Sequence, residues 1–160
     1  MSDPLNPLDV PFTPVSPALA RVRVIAVLLW TGIPLLVCAV VAIALTPWLW
    51  IPAVVLAAVM AWLLWLIPRQ VRAQGFAETD EEFMIRRGIM FRSLTVVPYG
   101  RIQYVDVSEG PIARHYGIAS IALHTASAET SGSLEGLPAA EAARLRDMLA
   151  HRGSAEQAGL

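Results

Sequence analysis

Residues 24–67 read VIAVLLWTGIPLLVCAVVAIALTPWLWIPAVVLAAVMAWLLWLI and contain no Asp, Glu, Lys, Arg or His. Arg21 and Arg23 stand just before this run, and Arg69 and Arg72 just after it. About eighteen apolar residues suffice to cross a bilayer, so a run of forty-four is long enough to cross it twice. Hydrocarbon offers the backbone no hydrogen-bond partners, and the run is therefore expected to be helical. Thr46-Pro47 interrupts it, because proline donates no hydrogen bond and pushes the preceding residue out of the α region. The reading is a hairpin over residues 21–72, with helices at Val24–Leu45 and Trp48–Ile67 and an exit from the membrane through Pro68. At roughly 1.5 Å per residue each helix reaches roughly 30 Å, one hydrocarbon core.

The flanks orient this hairpin. Arginine lies only at its outer ends, and Trp48 and Trp50 lie at its turn. Arginine is retained on the cytoplasmic side, whereas tryptophan prefers the interface. A multi-pass protein of the cell (inner, plasma) membrane is expected, with both termini cytoplasmic and the Thr46-Pro47 turn on the far side. Ala42-Ile43-Ala44 has the form of a signal-peptide cleavage site. The apolar segment before it exceeds a usual signal core, however, and a second follows at once, which favours an anchor. Cys38 reads as a small hydrophobe inside a helix, since Val37 stands where a lipoprotein site wants a small residue. A single cysteine builds no disulfide framework, as suits a reducing compartment. With nothing ionisable between Arg23 and Arg69, a transporter or channel acting alone is not expected. Gly32, Pro34, Ala57 and Ala58 would permit close helix packing.

The 160 residues carry a net charge of −1, which gives no electrostatic pull toward nucleic acid. All twelve basic residues are arginine. Pro4, Pro7, Pro11, Pro14 and Pro17 make residues 1–20 a Pro-rich, extended cytoplasmic arm, expected to be a disordered tail, the alternative being that Leu5, Leu8, Val10, Phe12 and Val15 between the prolines dock on something. After Arg72 the pattern turns from helical to β. Strands are expected at Phe76–Thr79 and Phe83–Arg87 around an Asp80-Glu81 turn, then at Ile89–Val97 after Gly88. Pro98-Tyr99-Gly100 breaks the pattern, and Ile102–Val107 follows with Gln103, Val105 and Val107 on one face and Ile102, Tyr104 and Asp106 on the other. Ile112–Tyr116 is short enough for one helical turn. Ile118–Thr125 alternates, Ala126–Ser133 is a polar loop, and Leu134–Leu137 is a last short strand. Pro138 opens a helix whose stripe is Ala142, Leu145, Met148 and Leu149; Gly153 is expected to end it, leaving residues 153–160 as a disordered tail. The fold class is α+β: a helical hairpin, a run of strands, and a terminal helix capping them.

Two segments are distinctive: Val97-Pro98-Tyr99-Gly100-Arg101-Ile102-Gln103-Tyr104-Val105-Asp106-Val107 and Gly110-Pro111-Ile112-Ala113-Arg114-His115-Tyr116-Gly117-Ile118-Ala119. Placed behind a two-helix hairpin, they resemble the bacterial pleckstrin-homology-like (PH-like) membrane proteins of the YdbS type, over roughly Ala20 to Arg152. The resemblance implies a PH-like split β-barrel with a C-terminal capping helix over residues 73–152. It carries over no catalytic activity and no cofactor. It implies a partner, namely a larger membrane protein with repeated PH-like domains. The loop at Ala126-Ser127-Ala128 departs from the glycine-containing form often found there.

No residues converge as a nucleophile with a base, as paired carboxylates or as metal ligands. His115, His124 and His151 occur singly, without H-E-x-x-H or C-x-x-C spacing, so no metal site is expected. An interaction or assembly module is expected, with Arg101, Gln103, Arg114, His115 and Tyr116 as candidate partner-binding residues. The alternative for Arg101 and Arg114 is that they brace the Gly110-Pro111 turn against carboxylates or carbonyls. Anionic lipid headgroups are the second class of ligand, with Arg69, Arg72, Arg86 and Arg87 as candidate lipid contacts and Arg92 beside them. The turn Thr79-Asp80-Glu81-Glu82, which corresponds to the headgroup loop of eukaryotic PH domains, would instead repel an anion. Sheet edges are templates for strand addition, which leaves a homo-oligomer open.

Overall fold

The computed structural model describes residues 10–44, 47–126 and 131–158. Its elements run β1 (Thr13–Pro14), α1 (Ala18–Ala44), α2 (Trp50–Arg72), β2 (Gly75–Glu78), β3 (Glu82–Arg87), β4 (Ser93–Pro98), β5 (Ile102–Ser108), α3 (Pro111–His115), β6 (Ile118–Thr125), β7 (Gly132–Pro138) and α4 (Ala139–Ala158). Contacts divide the chain into two compact units: Ala20–Arg69, and the described residues up to Leu19 together with those from Gln70 onward.

In the helical unit, α1 and α2 extend past the uncharged run. The α1 helix begins before Arg21 and Arg23, and α2 passes through Pro68 to Arg72. Absence of charge marks the solvent, not the helix, and arginine is itself a good helix former. Pro68 is therefore an interior residue of α2 and not its exit. Leu45 and Thr46 lie outside the described residues; Pro47–Leu49 is a 3₁₀ turn leading into α2. The outward apolar side chains include Trp30, Leu36, Trp48 and Trp62, each more than 60% exposed in the isolated chain.

The second unit holds two antiparallel sheets, in the orders β1-β2-β3-β4 and β5-β6-β7. The expected α+β class is thus observed, with the barrel in two separate ladders. The N-terminal arm is not free over its described part. Thr13 and Pro14 pair with Phe76 and Gly75, and Ser16 donates its N–H to the Gly136 carbonyl at 2.8 Å. Val15 and Leu19 are buried. Gly75 permits this approach, since a Cβ there would lie 3.0 Å from the Thr13 carbonyl oxygen, and proline is tolerated on an edge strand. Pro4, Leu5, Pro7 and Leu8 lie outside the described residues. One consequence is topological: the whole α1–α2 segment is strung within the β1–β2 connection.

The expected strand Ile89–Val97 is shorter than its apolar pattern suggests. Residues 88–92 form the β3–β4 turn, and β4 begins at Ser93. Gly88 has φ +94°, and a Cβ there would stand 1.8 Å from the Phe91 carbonyl oxygen, so only glycine closes this turn. At the other sheet, β7 begins at Gly132, earlier than expected, and Ala126 forms a bend; Ser127 and Ala128 lie outside the described residues.

The core is drawn from both sheets and α4. Phe83, Ile85, Val97, Ile121, Leu123, Leu134 and Leu137 are all nearly solvent-free, and Phe76 stacks on Phe83 with ring centroids 5.8 Å apart. Ala142, Leu145 and Leu149 are fully buried along one stripe of α4, whereas Met148 is only half-buried at its margin. Gly153 does not end this helix, which continues to Ala158. It instead lies where α4 packs against the chain between the sheets, and a Cβ there would make ordinary contact with the Tyr99 and Ile102 carbonyl oxygens at 3.4 and 3.5 Å. The expected tail is therefore helical as far as Ala158, with Gly159 and Leu160 outside the described residues.

Candidate interaction surface

The acidic turn between β2 and β3 is occupied by the fold itself. Thr79 accepts and donates within the turn, pairing with Glu82 through both backbone and hydroxyl. Tyr99, fully buried in the 3₁₀ turn that links the sheets, donates its hydroxyl to the Thr79 carbonyl at 2.9 Å and its N–H to that of Glu81. Arg152 of α4 donates to the Thr79 and Asp80 carbonyls at 3.0 and 3.1 Å, and its guanidinium lies 5.0 Å from the Tyr99 ring centroid. Burial raises the Tyr99 phenol above its usual range, and Arg152 partly offsets this. Arg144, also on α4, bridges Glu78 and Glu141. Those hydrogen bonds push its own pKa up and hold the Glu141 carboxyl below the usual carboxylate range. This end of the sheet is a clamp for α4.

The five candidate partner-binding residues do not form one patch. Arg101 and Gln103 are exposed where β5 begins, opposite Thr125 of β6. Arg114 and His115 are exposed on α3, with Tyr116 half-buried behind them, past the far end of β5 where Ser108 pairs with Ser120. The length of β5, roughly 20 Å at about 3.4 Å per residue, keeps the two groups apart. His115 and Tyr116 meet edge to face at 5.3 Å. Neither Arg101 nor Arg114 forms an ion pair among the described residues, so the bracing alternative finds no carboxylate there.

Between the two groups lies a cluster that residue-by-residue reading overlooks. Tyr104 of β5 stacks on His124 of β6 with ring centroids 4.3 Å apart and planes 9° from parallel. His124 Nε2 lies 3.3 Å from Asp106 Oδ2. Strand alternation already puts Tyr104 and Asp106 on one face; what it cannot give is the register that brings His124 opposite Tyr104. Gln103, Tyr104 and Val105 also line a shallow groove of about 360 Å³ whose other wall is α4, at Arg146, Asp147 and Ser154. On its far edge β5 pairs with no strand among the described residues.

The candidate lipid-contact arginines fall on two elements. Arg69 and Arg72 occupy the last turns of α2, where the Arg69 guanidinium sits 3.6 Å from the Trp65 ring centroid. Arg86 and Arg87 close β3. Arg86 lies 4.5 Å from the Phe12 ring centroid, and Arg87 donates to the Ser133 hydroxyl at 3.1 Å.

The family model described as Bacterial PH domain matches residues 10–153, from the docked arm to the middle of α4. The chain belongs to the bacterial PH domain family. The segment strung between β1 and β2 thus lies within the matched region. Among curated proteins, the chain is similar to the UPF0699 transmembrane protein YdbS of Bacillus subtilis (strain 168), 37% identical over 70 residues. The match covers 44% of this chain and 43% of that protein, less than half the length of either. No solved structure matches. Two helices are long and apolar enough to cross a membrane, and the relative is named a transmembrane protein; this is a membrane protein with a PH-like module.

Proposed function

We propose that the protein is a non-catalytic interaction and assembly module of the bacterial inner membrane. Its two helices cross the bilayer with both termini cytoplasmic, and its PH-like unit binds a partner at the cytoplasmic surface. The observation that carries this reading is β5. Its outer edge adjoins no strand among the described residues, a groove runs beside it, and Gln103, Tyr104 and Asp106 are exposed along it. Backbone donors and acceptors on such an edge invite an added strand, and the flanking Arg101 and Arg114 supply charge that the fold does not use. The partner is a larger membrane protein carrying PH-like domains, or a second copy of this chain.

Photo-crosslinking in native membranes tests it, with a photoreactive residue placed at Gln103 or at Tyr116. Links from Gln103 to another membrane protein or to a second copy are the expected result. Absence of protein links from both positions would overturn it.

A further inference from the structure

Among the described residues outside the apolar helices, the two most exposed large hydrophobic side chains are Met90 and Phe91, at 83% and 89%. They are neighbours at the tip of the β3–β4 turn. The turn doubles back tightly at Gly88, whose Cα faces the Phe91 carbonyl, while the Phe91 side chain stays exposed. Arg86 and Arg87 stand before the tip and Arg92 just after it, and no Asp or Glu occurs between Phe83 and Val105. An apolar tip flanked by arginines matches one kind of surface, an anionic bilayer: hydrocarbon for the apolar side chains, phosphate for the guanidinium groups.

Topology puts the tip at the end of the sheet that needs it. In the first sheet, Pro14 pairs with Gly75 and Gly75 with Arg86. The chain departs for the membrane helices after Pro14 and returns at Gly75, which makes the Arg86 end of β3 the end to which those helices are joined. Only Ala73 and Gln74 separate Arg72 from Gly75, a tether of roughly 10 Å at full extension. The opposite end carries Glu78, Asp80, Glu81 and Glu82, so the sheet is acidic away from its tether and basic beside it.

We infer that the Gly88–Arg92 turn is a membrane wedge, with Met90 and Phe91 inserted among anionic lipids and Arg87 and Arg92 on their headgroups. This goes beyond partner binding: it gives the PH-like unit its own contact with the bilayer, besides the helices to which it is joined. The inference rests on the membrane location of the protein.

The test uses the full chain carrying Cys38→Ser and Phe91→Cys, labelled with an environment-sensitive fluorophore and reconstituted into phosphatidylcholine–phosphatidylglycerol vesicles. Ala140→Cys, on the exposed face of α4, is the reference. The Phe91 label should emit to the blue of the reference, resist aqueous iodide several-fold better and be quenched by quenchers carried on the acyl chains. Iodide quenching equal to that of the reference would overturn the wedge. Protection from iodide without quenching from the lipid would overturn it too, and would place a protein on the tip. Adding Arg87→Glu and Arg92→Glu should withdraw the label in these anionic vesicles; an unchanged signal would overturn the headgroup contact. A chain that fails to float with the vesicles would instead overturn the membrane location, and with it the wedge.

Discussion

At the β2–β3 end of the first sheet the turn carbonyls are taken by Tyr99 and Arg152, whereas at the β3–β4 end Met90 and Phe91 point away from everything in their own unit. Both turns are short, and both adjoin β3, in which Phe83, Met84 and Ile85 are buried. They differ in what their residues are for. The acidic turn spends its polar groups inside the protein, and Arg144 holds its Glu78 as well. The basic turn closes on a glycine and offers its side chains outward. The backbone of a conspicuous run of acid is thus held by the fold, while three apolar residues that resemble more strand are left exposed.

The sharpest way to break this comparison is Gly88→Ala. A left-handed residue with a Cβ aimed at the Phe91 carbonyl should cost on the order of 2–3 kcal/mol. All five tryptophans lie in residues 24–67, so their fluorescence would not report it; amide hydrogen exchange of β3 and β4 would. Unchanged protection would mean that the turn is loose and that its exposed tip carries no meaning. Arg152→Ala comes next. It removes two charge-assisted hydrogen bonds and a ring contact, at a cost of about 2 kcal/mol. Faster exchange should appear around Thr79–Glu82 and along α4 while the β3–β4 turn stays as it was. Equal loss at both turns would show that the clamp is not local.

Tyr99→Phe should cost about 1 kcal/mol at neutral pH, the worth of one hydrogen bond, and it also tests the sign of a titration. Burial raises the Tyr99 phenol in the folded state above its ordinary 10.0. The neutral phenol's contribution to stability is then complete below the unfolded value and is lost as pH rises through the folded one. Wild type should therefore lose exchange protection at the acidic turn above about pH 10, the ordinary phenol range, while the phenylalanine variant lacks that step. A step that survives in the variant would belong to another group.

Much of this architecture is legible in the residues themselves. The uncharged run announces helices and membrane because length and charge are local properties, and β6 and the buried stripe of α4 show the expected periodicities. What escaped is what depends on distant partners. Thr13 and Pro14 become a strand only because Gly75, some sixty residues away, accepts them, and two residues with a proline carry no strand signal. Gly153 looks like a helix stop until α4 is seen to pack there against the Tyr99 and Ile102 carbonyls and to run on to Ala158. Ile89, Met90 and Phe91 look like strand because hydrophobicity is blind to whether a protein or a bilayer receives it. Among the candidate residues, Arg101 and Arg114 read also as braces for the Gly110-Pro111 turn, and neither forms an ion pair among the described residues. Their separation by the length of β5 required the register.

The smallest expected effect bears hardest on the comparison. Phe91→Ser removes the most exposed large apolar side chain of the PH-like unit, and exchange in β3 and β4 should correspond to a change of no more than about 0.5 kcal/mol in detergent, as for a surface site. A buried phenylalanine in its place would cost about 3–5 kcal/mol, so the two cases are well separated. A loss of that size would mean that Phe91 packs against its own protein, and the contrast between the two turns would collapse into two structural turns. A null result in detergent, set beside a changed signal in anionic bilayers, separates a side chain kept for folding from one kept for the membrane.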